Sequence, residues 1–216
     1  MHRQAAFTVT AAQPFVMGAG AAAEIVAWRI VVSGRASIWR IMTPTFLLMA
    51  VAAVIVREPV LSSRIGPVAA ALAGAGVGIT LFVGTRVFVV LVSRWAPFQR
   101  QTAEIYGRRG PTSLAEAAIL AGVAAVCEEL FWRGLFQSRL AAGGRVPGAV
   151  LTWIAYVAVN LPSVSLPIIS GALVGGAVWV GLAAWTGGVL ASIVCHLVWT
   201  ELMLVLPPRV PAAVSG

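Results

Sequence analysis

Long apolar blocks, interrupted at short intervals by Arg, Gly and Pro, dominate the chain. The run 41–56 is cleanly apolar, and the stretch 65–93 is long enough to cross a bilayer with some tilt, although Arg86 lies inside it. Residues 15–33 would form one more helix, either crossing the membrane or lying at its surface; Glu24 and Arg29 weaken the crossing. The most polar segment, 94–112, carries Arg94, Arg100, Arg108 and Arg109 and reads as a cytoplasmic loop. Ser113 and Glu116 then form a capping-box signal that opens a helix running to about residue 140. A turn at 143–148, a helix over 149–161 stopped by Pro162, a Gly-rich helix over 167–184, a turn at Gly187–Gly188 and a last helix over 189–206 follow. Six crossings result, or seven if 15–33 crosses. With six, the N-terminus, the loop 94–112 and the C-terminus share one side.

Composition agrees with this pattern. Of the 216 residues, 60% are hydrophobic and only 10% charged, with a mean hydropathy of +0.94. Soluble domains carry about 25% charged residues, so lipid burial accounts for this chain where a soluble core does not. All 15 cations are Arg and all 7 anions are Glu. The net charge of +8 does not indicate nucleic-acid binding, because the Arg residues are scattered between apolar runs and make no basic face. Cys127 and Cys195 lie in apolar segments, which argues against a secreted disulfide framework. The first 23 residues look weakly like a signal peptide, but Gln13 and Pro14 break their apolar part, so the segment is expected to be retained. The expected architecture is an all-α polytopic transmembrane bundle, with N-terminal helices and a loop over 1–112, a four-helix core over 113–206 and a tail over 207–216.

Polar residues inside the crossings carry the functional signal, because each ionisable group in lipid costs a few kcal/mol or more. Three helices hold them at four-residue spacing, which puts them on one face: Glu129, Arg133 and Gln137; Thr152, Tyr156 and Asn160; Ser192, His196 and Thr200. Glu128 sits beside the first stripe and Glu201 beside the third. At ~1.5 Å per residue, Glu128 lies ~21 Å from Leu114, which leaves ~9 Å to the far side of a ~30 Å core; His196 lies ~12 Å from Gly188 on that far side. The two are thus expected at similar depth. Glu129 and Arg133 form an (i, i+4) pair, which suits an orienting role. Glu128 is then left to act as general base on a water, with His196 binding that water or steadying an oxyanion, and Asn160 donating through its amide. A plain interhelical salt bridge for Glu128 and Glu129, and plain hydrogen-bonding roles for His196, Asn160 and Thr200, stay open as alternatives. Cys127, Glu128, Cys195 and His196 are all metal-ligand types. Adjacent residues diverge by about 100° on a helix and no HExxH pattern occurs, so no metal or other cofactor is expected. Glu24 and Arg86 have no role in this pattern.

The string Cys127-Glu128-Glu129-Leu130-Phe131-Trp132-Arg133-Gly134 resembles the EExxxR(G) motif of the CAAX-protease and bacteriocin-processing (Abi) family of intramembrane glutamate-type endopeptidases, which includes the type II CAAX prenyl endopeptidases. Tyr156 and Asn160 fall where that family has an aromatic followed by a His, and His196 and Thr200 where it has a His followed by Asn or Asp. The resemblance covers roughly residues 115–206. It implies Glu128 as the water-activating base and His196 as second catalytic partner, with Asn160 completing the site and Glu129, Arg133, Thr200 and Tyr156 in support. It also implies a peptide substrate in the membrane and residence in the bacterial cytoplasmic membrane. Asn160 and Thr200 depart from the motif, and an amide cannot exchange a proton as imidazole does. A decayed, non-catalytic scaffold, immunity or maturation-partner protein is the second reading. A small transporter or channel is the third, although inverted repeats and broken helices are not evident.

Overall fold

The computed structural model describes residues 2–92, 95–107 and 113–207, with backbone alone for 2–10 and 105–107. In order, the helices are α1 (His2–Val32), α2 (Ile38–Val56), α3 (Pro67–Val92), α4 (Ala96–Gly107), α5 (Leu114–Glu129), a π-helix (Leu130–Gln137), α6 (Ser138–Leu140), α7 (Arg145–Asn160), α8 (Leu166–Thr186) and α9 (Leu190–Val205). No strand occurs among the described residues. Five segments are long and apolar enough to cross a membrane: Ala11–Val32, Ile38–Val56, Pro67–Val92, Arg145–Ser163 and Leu166–Thr186. The shorter apolar α9 and the continuous rod α5–π–α6 stand among them, and the protein is an all-α integral membrane bundle. The surface is apolar outward, as lipid requires: Val68, Leu72 and Leu91 on α3 are 72%, 69% and 75% exposed.

The N-terminal segment forms a full-length helix, and Ala11–Val32 is long and apolar enough to cross, as the seven-crossing alternative requires. Gln13 near the start of α1 donates from Nε2 to the carbonyl of Val56 at the end of α2, 3.0 Å away. Counting crossings from there puts the start of α1 at the end of the bundle opposite α4. The segment expected as a polar loop contains α4. Gln101 of this helix accepts from the backbone N–H of Leu166 at 2.7 Å and so satisfies a free donor at the start of α8. Arg94, Arg108, Arg109 and the tail from residue 208 onward lie outside the described residues. The expected turn at 143–148 is shorter than the sequence suggests. Gly144 takes φ +120, a conformation open to glycine, and α7 starts at once, because Pro147 is tolerated in a first turn whose N–H groups have no helical partner. The capping box at Ser113 and Glu116 forms as expected, with Glu116 N–H to Ser113 Oγ at 3.2 Å and Ser113 N–H to Glu116 Oε2 at 2.9 Å.

Two small-residue contacts hold the bundle close. Gly74 and Gly78 on α3 face the backbone of α9. A methyl group on Gly74 would lie 2.4 Å from the Ala191 carbonyl oxygen, and one on Gly78 would lie 2.8 Å from that of Cys195. Helices in lipid associate through such packing, since lipid offers no hydrophobic drive between them. At one end of the bundle the α2–α3 and α8–α9 loops are tied by backbone bonds, Val189 N–H to Val60 O at 2.9 Å and Leu190 N–H to Leu61 O at 3.0 Å. Arg86, unassigned from the sequence, donates from Nη1 to the carbonyl of Leu206 at 3.1 Å and caps the end of α9. Substituting Gly74→Ala is expected to destabilise the bundle by about 1–3 kcal/mol through overpacking. Gly76→Ala, where an added methyl meets nothing within 4 Å, should be close to neutral. Thermal unfolding of both variants in detergent micelles checks the difference.

Candidate functional site

The three polar stripes converge. Glu129, Arg133, Thr152, Asn160, Tyr156, Ser192 and His196 are all buried, and so is Glu128 at 8% exposure. The carboxylate of Glu129 is the hub. Its Oε1 lies 3.0 Å from Arg133 Nη1 and 3.0 Å from His196 Nδ1. Oε2 has no protein hydrogen-bond partner; the neighbouring Ser192 hydroxyl donates to the Val189 carbonyl at 2.9 Å. The expected depth match between α5 and α9 therefore holds, but the residue that bonds His196 is Glu129 and not its neighbour Glu128. Successive side chains differ by 1.5 Å in depth and by 100° in azimuth, and the azimuth decides which one faces α9.

The π-helix explains how so many groups of one rod point inward. It begins directly after Glu129, and Ser138 Oγ reaches back to the Arg133 carbonyl five residues earlier at 3.0 Å. A wider turn shifts the residues beyond it around the axis, and such segments occur often at functional sites. Below Glu129, Arg133 Nη2 donates to the Gly176 carbonyl of α8 at 3.4 Å, and Gln137 Nε2 donates to that of Val180 at 2.9 Å. One stripe thus holds α9 with its first member and α8 with the next two. Gly176 permits this approach: a methyl there would sit 2.8 Å from the Tyr156 ring. The Arg133 guanidinium lies 4.6 Å from the Tyr156 ring centroid and 5.4 Å from that of Trp179, and the His196 ring stacks on Trp179 at 3.7 Å with an interplanar angle of 18°. The aromatic walls fix the imidazole plane while Glu129 fixes its Nδ1, leaving Nε2 as the nitrogen available to a ligand.

Glu128, the neighbour of Glu129 on the rod, is buried in the same interior. It stands within electrostatic reach of His196, Glu129 and Arg133, with Tyr156 beside it. Asn160 commits its amide differently from the sequence expectation. Nδ2 donates to the Tyr156 carbonyl at 2.9 Å and to Glu24 Oε1 at 3.3 Å. Both amide hydrogens are used, so the direct donation to an oxyanion expected from sequence is not available in this arrangement. Thr200 is half-buried a turn from His196 and, among the described residues, makes no side-chain hydrogen bond to the cluster. The described His, Cys and Glu side chains form no group of three suited to holding a metal ion.

Glu24, on α1, is the residue the sequence reasoning missed. It is fully buried, and its Oε2 accepts from Trp132 Nε1 at 3.0 Å while Oε1 accepts from Asn160. The signal was present: a carboxylate inside an apolar crossing with no cation four residues away, the same test that singled out Glu128.

Residues 110–201, which hold α5 through most of α9, match the family model described as type II CAAX prenyl endopeptidase Rce1-like. Over this segment the chain is similar to that family. The matched residues include Glu128, Glu129, Arg133, Tyr156, Asn160 and His196, and leave out Glu24. No curated protein and no solved structure matches the chain.

The shared carboxylate oxygen gives a direct test of structure. Glu129→Leu strands the buried Arg133 without its carboxylate, and removing one partner of a buried ion pair costs about 3–5 kcal/mol. Denaturation of that variant in micelles should show a loss of this size.

Proposed function

We propose that the protein is an intramembrane endopeptidase that hydrolyses a peptide bond of a membrane-associated substrate with a Glu128-activated water. The observation that carries this reading is the buried Glu129–His196 pair with a second carboxylate, Glu128, beside it on the same rod. Glu129 holds His196 Nδ1 and sets the tautomer, as a carboxylate does for a catalytic imidazole. His196 Nε2 then binds the attacking water or the oxyanion. Glu128 takes the water's proton as the C–O bond forms and later returns it to the leaving amine. Arg133 neutralises Glu129 and Tyr156 walls the site, while Asn160 positions neighbouring groups. The similarity of residues 110–201 to an endopeptidase family model supports the reaction class.

An apolar groove between α5 and α9 supports a substrate that lies in lipid. It is walled by Ile119, Val123, Val126 and Leu197 and reaches Cys127, the residue before Glu128. The loops at the α4 end carry more Arg than those at the other end, which supports a cytoplasmic placement for that end in a bacterial inner membrane. A catalytically silent scaffold is the second reading. Asn160 favours it, since both amide hydrogens are already bonded and an amide cannot shuttle a proton.

Two probes test the reaction: a farnesylated peptide with a C-terminal Cys-aliphatic-aliphatic-X sequence, and an unprenylated transmembrane peptide with a short juxtamembrane tail. Wild-type protein in nanodiscs is expected to cleave at least one. Glu128→Gln should slow that cleavage by about 10²–10⁴-fold while the fold is retained. Equal rates for both proteins remove Glu128 from the mechanism. Failure of the wild type on both probes overturns the peptidase reading in favour of the scaffold.

A further inference from the structure

Glu24 is fully buried on α1, outside the matched segment, and takes no part in the proposed hydrolysis. Its two partners explain why a carboxyl group stands there. Trp132 Nε1 lies 3.0 Å from Oε2, and Asn160 Nδ2 lies 3.3 Å from Oε1. An indole nitrogen and an amide nitrogen can only donate. The position therefore needs two acceptor oxygens. Gln offers one, and its NH2 group would face one of the two donors. A buried donor left without a partner is costly. The approach of α1 suits this contact. Gly20, one turn before Glu24, lies against Phe131 of the rod, and a methyl group there would run into the ring. Phe131 in turn meets Trp132 edge to face, with ring centroids 5.2 Å apart.

The bond to Asn160 decides how that amide is turned. Its Nδ2 also donates to the Tyr156 carbonyl, four residues earlier on α7, at 2.9 Å. A carbonyl only accepts, so the nitrogen must face that way, and Glu24 takes the remaining hydrogen. Oδ1 is then the amide atom left to act on anything else, and it is an acceptor. The hub is built in the same manner: Glu129 holds His196 Nδ1 from the rod, as Glu24 holds Asn160 Nδ2 from α1. We propose that Glu24 is a positioning residue for the site, locking the Asn160 amide so that Oδ1 is offered to a hydrogen of the attacking water. Its use in turnover rests on the peptidase reading; the lock itself needs no substrate. Without Glu24 the amide keeps one tie and swings more freely, so its oxygen meets the water for less of the time.

Asn160 is the only asparagine in the chain, so protein made with asparagine isotope-labelled at its side-chain nitrogen gives a single side-chain amide in NMR spectra. For the full chain in nanodiscs, both hydrogens of this amide are expected to be protected from deuterium exchange. Glu24→Leu removes both acceptor oxygens and should speed the exchange at least about tenfold, the size one hydrogen bond accounts for. Gln13→Leu removes a bond from α1 to α2 without touching Asn160 and should leave the exchange as in wild type. Equal exchange in wild type and Glu24→Leu overturns the proposal. The same acceleration in Gln13→Leu also overturns it, because the effect is then a general loosening of α1. If Glu24→Leu does not fold, the wild type decides: protection of both hydrogens supports the lock, and an amide that exchanges as fast as in the denatured chain overturns it. On a peptide that the wild type cleaves, Glu24→Leu should lower kcat about tenfold or more with KM within about twofold. An unchanged kcat, or a loss carried by KM alone, overturns the role in turnover. Lack of cleavage by the wild type bears on the peptidase reading alone, and the exchange measurement then decides the lock.

Discussion

One oxygen atom organises the interior of this bundle. Oε1 of Glu129 takes hydrogen bonds from Arg133 on its own rod and from His196 on α9, both at 3.0 Å. In lipid a carboxylate without partners is too costly to keep, and a guanidinium or protonated imidazole equally so. Each of these groups is tolerable because of the others, and the surrounding helices must hold them together. Arg133 then binds the α8 backbone, and His196 stacks on Trp179, also from α8. The pair Glu129–Arg133 thereby fixes the mutual position of the three helices that the site needs.

The rest of the fold reads as the means of bringing those helices close enough. Gly176 lets Tyr156 and the Arg133 guanidinium reach α8 together, and Gly74 and Gly78 seat α3 against the outer side of α9. The π-helix turns the first stripe so that Glu129 meets α9 while Arg133 and Gln137 meet α8. Gln13, Arg133 and Gln137 bond backbone carbonyls of neighbouring helices. They act as joints as well as chemistry, which is how polar groups are commonly used in membrane interiors.

The N-terminal helix belongs to the site as much as the matched segment does. Glu24 reaches across to Trp132 and Asn160, so α1 closes one side of the polar interior that α5, α7 and α9 build. The family match over 110–201 takes in α5 to most of α9, whereas the carboxylate of residue 24 joins the cluster from outside it.

Sequence alone determined the elements that depend on near neighbours. Apolar block length set the crossings, Ser113 and Glu116 set the start of α5, and four-residue spacing put Glu129 with Arg133 and Thr152 with Tyr156 and Asn160 on shared faces. These features follow from helix periodicity and the thickness of lipid, which need no knowledge of other helices. Two things remained open: which of two adjacent glutamates would meet His196, and whether Glu24 would join them. The first turned on azimuth, modified by a π turn that no local propensity announces. The second turned on packing between helices more than a hundred residues apart in sequence. Only the tertiary structure decided both, because helix rotation and partner choice are set by contacts that a one-dimensional pattern does not contain.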